Sequence, residues 1–206
     1  MATQAERREA TIGAIERAAQ RLFAARGFAD TTVDDIVSDA GVAKGAFYHH
    51  FESKESVFEK VLERTQAALA SEIAAAAVKG SSPVARLRLG LRAYIEACER
   101  ASVRRVLLLD GPAVLGWTRW REIDDEYFGQ MTRRTVAAAL GPKASAIHVR
   151  TVASLIAGAF AEAAMMSAAN VVPKTKAKDL AAAMDLLLRG LEFPAVKAPV
   201  RRHRRS

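Results

Sequence analysis

The stretch from Thr31 to Lys54, TTVDDIVSDAGVAKGAFYHHFESK, constrains the fold more than any other part of the chain. It predicts two short helices joined by a tight turn, followed at once by the start of a third. Thr32 is a good N-cap, and Asp35 three residues on can return a hydrogen bond to the Thr32 backbone. Val33, Ile36, Val37 and Ala40 recur at helical spacing and make one face apolar. Gly41 stands where a left-handed residue ends a helix, and Val42 can tuck under the turn. A second short helix is expected from Lys44 to Phe51, with Phe47 and Phe51 four apart on its buried side. Its other side then presents Lys44, Gly45, Tyr48 and His49 together.

That outward face is unusual for solvent. It combines a cation, a glycine that lets a backbone come close, a phenol and an imidazole. Such groups donate hydrogen bonds, stack, or lie against a thymine methyl. A helix of this size fits the major groove of DNA, where base edges offer matching acceptors. Lys54 opens the next helix, where its charge and the free backbone N–H groups suit a phosphate. The plain alternative is a surface helical hairpin with no partner, because short helix pairs are common.

These residues also carry a resemblance. The run Phe23-x3-Gly27-Phe28-x2-Thr31-Thr32-Val33-x2-Ile36-x3-Ala40-Gly41-Val42-x-Lys44-Gly45-x-Phe47-Tyr48-x-His50-Phe51-x2-Lys54 resembles the DNA-binding domain of the tetracycline-repressor (TetR) family. The match covers about the first 60 residues. The resemblance implies a dimeric, all-helical transcription regulator, usually a repressor. Carried over by position, it implies DNA contacts by Thr32, Lys44, Gly45, Tyr48, His49 and Lys54, with His50 serving packing or phosphate. Ala43 departs from the serine or threonine often found there, which removes one cap and one phosphate contact.

Composition agrees with an all-α chain. Half of the 206 residues are hydrophobic, only 6% are aromatic, and alanine is abundant. The expected organisation is a three-helix helix-turn-helix domain over 1–54, a ligand-binding and dimerisation domain over 55–194, and a basic tail over 195–206. A single cysteine, Cys98, rules out an intrachain disulfide and fits a reducing cytoplasm. The charged N-terminus MATQAERREA lacks the apolar core of a signal peptide. The net charge of +8 invites a direct inference of nucleic-acid binding, but its distribution does not support one. Residues 1–54 hold seven Lys/Arg against eight Asp/Glu, while 197–205 alone hold five Lys/Arg. The DNA reading therefore rests on geometry.

The first helix is expected from about Glu6 to Arg26, with Ile12, Ile15, Ala19, Leu22 and Phe23 as its apolar stripe. A long helix follows from Ser53 towards Lys79, and Gly80-Ser81-Ser82-Pro83 breaks it. Residues 84–101 read as another amphipathic helix. Asp110-Gly111-Pro112 reads as a helix stop and turn, followed by both tryptophans. The stretch LLLDGPAVLGW is similar to one seen in the regulatory domains of one branch of the TetR family. A helix over 117–140 ends at Gly141-Pro142. Residues 144–169 form the next helix, and its stretch TVASLIAGAFAEAAMMSAA is apolar nearly all round; a membrane span is the rival reading, opposed by Glu162 and by the dominance of Ala and Ser over Leu. The last helix carries Leu180, Ala183, Met184, Leu187, Leu188 and Leu191 at three- and four-residue spacing. The resemblance implies that these two helices pair with their copies in a partner subunit, using Ala157, Gly158, Ala161, Met184, Leu187 and Leu188. The alternative is that both helices belong to the subunit's own core.

No catalytic constellation stands out: there is no phosphate-binding glycine loop, no G-x-S-x-G, no H-E-x-x-H and no cysteine pair. Neither a cofactor nor a metal is called for. Asp124, Asp125 and Glu126 in a row face different sides of a helix and read as solvated. The expected function is a regulator in which one recognition helix per subunit reads half of a palindromic operator. A small, largely hydrophobic effector would bind between the helices after residue 84, lined by Tyr94, Cys98, Leu108, Trp117, Trp120, Phe128, Met131 and Phe160. The competing class is a helical metabolite-binding protein or enzyme whose N-terminal part is purely structural.

Overall fold

A computed structural model of the chain describes residues 3–168 and 177–189. Every regular element among them is helical. Helix α1 (Gln4–Arg26) begins two residues before its expected start. Thr3 and Glu6 form a capping box there, with Thr3 N–H on Glu6 Oε2 at 2.6 Å and Glu6 N–H on Thr3 Oγ1 at 3.2 Å. Helices α2 (Val33–Ala40) and α3 (Lys44–His50) follow, then α4 (Lys54–Ala77) and α5 (Pro83–Glu99). Ser53 and Ser82 cap α4 and α5, and Pro83 sits in the first turn of α5, where its missing N–H costs nothing.

The body then departs from expectation. A single turn, α6 (Ala101–Val103), widens into a π-helical segment, Arg104–Asp110, which runs straight into α7 (Gly111–Asp124). Asp110-Gly111-Pro112 is therefore no stop: Gly111 has helical angles, φ −52° and ψ −61°. Proline within the first turn of a segment is compatible with helix. In the wider π pattern the N–H of residue 112 would face the Leu107 carbonyl, and proline has none to offer. The Trp120 indole N–H takes that carbonyl instead, at 2.8 Å. The real break comes at Gly116, whose φ of 75° and ψ of 158° only glycine adopts freely. A second π segment, Asp125–Gly129, leads into α8 (Gln130–Leu140). After Gly141, α9 (Ala146–Ala168) and α10 (Ala177–Arg189) complete the described chain. The expected loop at Asn170 to Pro173, the helix end at Gly190 to Pro194 and the basic tail lie outside the described residues.

Two apolar clusters hold these helices. The first spans α1 to α4, the first π segment and α7, from Ile15 and Phe23 to Leu107, Trp120 and Ile123. Phe58 of α4 packs edge-on against both Phe23 and Phe28, each with ring centroids 5.3 Å apart. The second cluster joins α5, α8, α9 and α10 through Leu87, Leu91, Ile95, Val136, Ile156, Leu180, Met184 and Leu188. Helix α9 is long and apolar enough to cross a membrane by length and composition. It packs on α5 and α8 along one side, and Ile147 and Leu155 stay exposed on the other.

Trp120 is fully buried and its hydrogen bond has no solvent substitute. Trp120→Phe keeps most of the ring volume but orphans the Leu107 carbonyl, which costs on the order of 1–3 kcal/mol. Urea unfolding at fixed protein concentration should show that loss; an unchanged midpoint would contradict the geometry.

Candidate nucleic-acid interface and buried cavity

The geometry of the N-terminal helices begins at two turns. Thr32 Oγ1 accepts the Asp35 N–H at 3.1 Å, and Asp35 Oδ2 accepts the Thr32 N–H at 2.9 Å. This bonding to Thr32 is also what holds the Asp35 carboxyl below its ordinary pKa. Gly41 is left-handed, φ 67° and ψ 34°, and the Val42 N–H closes back on the Val37 carbonyl at 3.0 Å. Helix α3 starts at Ala43 with no side-chain cap. Phe47 and Phe51 are buried, their rings 5.6 Å apart, and fix the rotation of α3.

With α3 so held, Lys44, Gly45, Tyr48 and His49 are all exposed, Tyr48 by 54%. A Cβ added at Gly45 would meet nothing within 4 Å, so the helix surface there is open. Lys44 Nζ rests on Asp34 Oδ1 at 2.8 Å, and that contact holds its ammonium pKa up. Thr32 is exposed at the start of α2 with its hydroxyl engaged by Asp35. Lys54 differs from the expected phosphate ligand. Its Nζ donates to the Phe28 and Thr31 carbonyls, both at 2.8 Å, and lies 4.0 Å from the Phe28 ring centroid. Two of its three protons are thus committed to stapling the α1–α2 loop onto α4.

Deeper in the body, α4, α5, the end of α7, the second π segment, α8 and α9 line a small cavity of about 60 Å³. A single water needs roughly 10–15 Å³ on this measure, so the space suits a handful of heavy atoms. Of the residues expected to line it, Tyr94, Phe128, Met131 and Phe160 do so. Cys98 and Leu108 are buried in the first core cluster instead. Burial pushes the Cys98 thiol up to about 12. Trp120 is also in that core, and Trp117 is 56% exposed. Both tryptophans are displaced because the chain stays helical through Gly111 and then breaks at Gly116. The cavity also reaches further back than expected, since Ile73 and Ala77 of α4 form one wall.

Asp124 corrects the reading of the acidic run as solvated. Asp125 and Glu126 are exposed, but Asp124 is only 6% exposed and lines the cavity. The signal was present: Trp120, Asp124 and Phe128 are spaced by four and share a face. Burial raises the Asp124 pKa to about 6, against the pull of Arg121, whose Nη1 is 3.0 Å away, and of Gln66. Arg86, Thr132 and Thr135 also line the cavity and had no distinguishing pattern in the sequence.

The expected pairing residues divide. Ala161, Met184 and Leu188 are buried in the subunit's own core, so for them the core alternative holds. Ala157 and Gly158 are half-buried, and Ala157 lines the cavity. Leu187 is 66% exposed beside Leu186, with Leu155 at 70% and Ile147 at 69%. The outward rows of α9 and α10 are offset from the positions read off the sequence.

Comparisons with known proteins agree over most of the chain. Residues 15–61 match the family described as bacterial regulatory proteins, tetR family, and 84–191 match the tetracyclin repressor-like C-terminal domain. A TetR-family transcriptional regulator from Pectobacterium atrosepticum superposes with a TM-score of 0.71 at 30% identity, covering 92% of this chain and 97% of that one. The HTH-type transcriptional repressor KstR2 of Mycolicibacterium smegmatis is 36% identical over 92 residues, 45% of each protein. An uncharacterized HTH-type transcriptional regulator, YerO of Bacillus subtilis, is 54% identical over 43 residues, 21% of this chain. The chain thus spans 45% and 15% of the lengths of these two curated relatives.

The raised Asp124 pKa carries a signed prediction. Its folded value, about 6, exceeds the ordinary 3.8, so the folded state holds the proton more tightly. Stability from this group is fully present below pH 4 and declines as pH rises through 6. Asp124→Asn removes that decline. From pH 4 to 7 the variant should gain about 2–3 kcal/mol relative to wild type. Denaturant titrations at both pH values measure the difference; parallel curves for the two proteins refute it.

Proposed function

The chain belongs to the tetracycline-repressor family, and from that premise we propose that it is a homodimeric, sequence-specific DNA-binding regulator of transcription. Repression relieved by a small, largely hydrophobic effector is the mode of action we propose for it. The observation that carries the reading is the joint exposure of Lys44, Gly45, Tyr48 and His49 on a helix anchored by Phe47 and Phe51. A scaffold helix gains nothing by showing water this set. In a major groove, Lys44 exchanges Asp34 for a phosphate or a guanine edge. Tyr48 and His49 reach base edges or phosphates, and Gly45 lets the backbone come close. Thr32, at the head of α2, sits where a first helix crosses the DNA backbone. Lys54 acts from behind by holding the loop, so its role is to position the helix pair.

Two such helices read a palindrome only if a two-fold axis relates them. The unpaired apolar residues Ile147, Leu155, Leu186 and Leu187 supply a self-complementary surface on α9 and α10. This arrangement places the DNA-reading unit at one end, the cavity in the middle and the dimer contact on the last two helices. Such a regulator acts in the bacterial cytoplasm.

Selection of bound DNA from random duplexes tests the whole reading. It should return an inverted repeat whose half-sites lie about 34 Å or a multiple apart. Recovery of no preferred sequence would refute sequence-specific binding. Against the selected site, Lys44→Ala combined with Tyr48→Ala should lower affinity at least tenfold at matched salt, since each good base contact is worth about 1–3 kcal/mol. Leu155→Glu with Leu187→Glu should shift the sedimenting species from dimer to monomer while leaving the helical content unchanged. A variant that stays dimeric would move the interface elsewhere.

A further inference from the structure

We infer that the cavity selects a compact neutral ligand by its hydroxyl hydrogens, because the polar groups along one wall, Asp124, Thr132 and Thr135, face it as acceptors. This rests on the reading of the cavity as an effector site and names the ligand class that site takes. The Thr132 hydroxyl donates to the Phe128 carbonyl and the Thr135 hydroxyl to the Met131 carbonyl, both at 2.9 Å. Each proton is committed to the helix, so each oxygen offers only lone pairs to the cavity. Asp124 adds a carboxylate with room for roughly four hydrogen bonds, of which Arg121 takes one. Tyr94 of α5 also lines the cavity.

Helical spacing puts these acceptors on one wall. Asp124, Phe128 and Thr132 are four residues apart, with Thr135 three further on. Across from them stand Ile73, Leu87 and Phe160, which contribute only apolar surface. A ligand that fits has an apolar body and one or two O–H donors on one edge. Charge narrows the choice. A carboxylate would face Asp124 in a space with little water. An ammonium would meet an Asp124 already paired with Arg121, with Arg86 as a second cation in the lining. Arg86 turns its Nε to the Gly80 carbonyl at 3.3 Å, at the turn between α4 and α5. A neutral alcohol or phenol carries neither penalty.

Calorimetric titration of the full chain with four single-ring probes tests the inference: the isosteric pair phenol and toluene, and the charged benzoate and benzylamine. Phenol should bind, and toluene should bind about ten- to a hundredfold more weakly, the factor a hydrogen bond to a charged acceptor provides. Benzoate and benzylamine should be weaker still. Asp124→Asn and, separately, Thr135→Val should each weaken phenol binding, the former by about tenfold. Where Asp124→Asn fails to fold, Thr135→Val and the wild-type probe series decide. Equal binding of toluene overturns the inference, as does preference for benzoate, which would point to Arg86, or for benzylamine. Binding of none of the four also overturns it. Binding to the selected operator, measured in parallel, separates the two claims. A chain that binds DNA but no hydroxylated probe keeps its regulatory role and loses this ligand class. A chain with no DNA preference loses the regulatory role whatever it binds.

Discussion

The fold depends on one helix, α4, that carries a single continuous core from the N-terminal helices into the body. Near its start, α4 gives Val57, Phe58, Val61 and Leu62 to the cluster that holds α1, α2 and α3. Further along, Leu69 and Ile73 turn to the body, and Ile73 reaches the cavity. Three helices of the size of α1 to α3 bury too little apolar surface to stand alone. They borrow Phe58, which both Phe23 and Phe28 need as a packing partner. The reading helices therefore cannot keep their orientation independently of α4. At about 1.5 Å per residue, the helix carries any displacement from Ile73 to Lys54 across most of its length.

Lys54 makes that coupling directional. It is the first residue of α4, and it holds the two carbonyls that flank the loop into α2. A second brace reaches the same loop from the body: the Phe28 N–H donates to Asp110 Oδ2 at 2.8 Å, across 82 residues of sequence. Asp110 ends the π segment whose Leu107 carbonyl is held by Trp120, and Trp120 lies one turn before Asp124. The loop behind the reading helices is thus gripped by two elements: α4, whose far end lines the cavity, and the π segment, which Trp120 ties to the helix that carries Asp124. A ligand shifts such an arrangement only by the difference in its affinity for the two positions of the walls. A cavity this small makes that difference steep, because a few added atoms either fit the walls or move them.

The sequence announced some of this architecture and hid the rest, for physical reasons. Thr32, Gly41, Phe47 and Phe51 act through neighbours three to five residues away, so the helix pair and its outward face could be read from spacing alone. Ser53, where the long helix was expected to begin, was legible for the same reason. The cavity is made by residues from six separate elements, and no local pattern records which of them converge. Trp117 and Trp120 misled because large aromatics mark buried sites without saying which one. Pro112 misled because its meaning depends on position: it stops a helix from within but is tolerated in a first turn. The π segments add a residue to the turn and rotate everything after them. Ala161, Met184 and Leu188 were taken for pairing residues because an apolar stripe does not say whether its cover is the same chain or another.

Charge explains why pairing of two subunits matters to the reading head. The N-terminal 54 residues carry no excess of positive charge, and Lys44 is already partnered by Asp34. Non-specific attraction to phosphate grows with the number of cations brought to the backbone, and one head brings few. A single head must therefore rely on fitted contacts to base edges, which are short-ranged and fail with small errors of placement. In the dimer proposed above, joining two heads through α9 and α10 would make the second engagement intramolecular, so the two sets of fitted contacts would reinforce each other without new charge. The same linkage would make the pair sensitive to spacing. A movement of α4 too small to disturb either helix pair internally still shifts both at once, and a groove repeat of fixed length does not accommodate that.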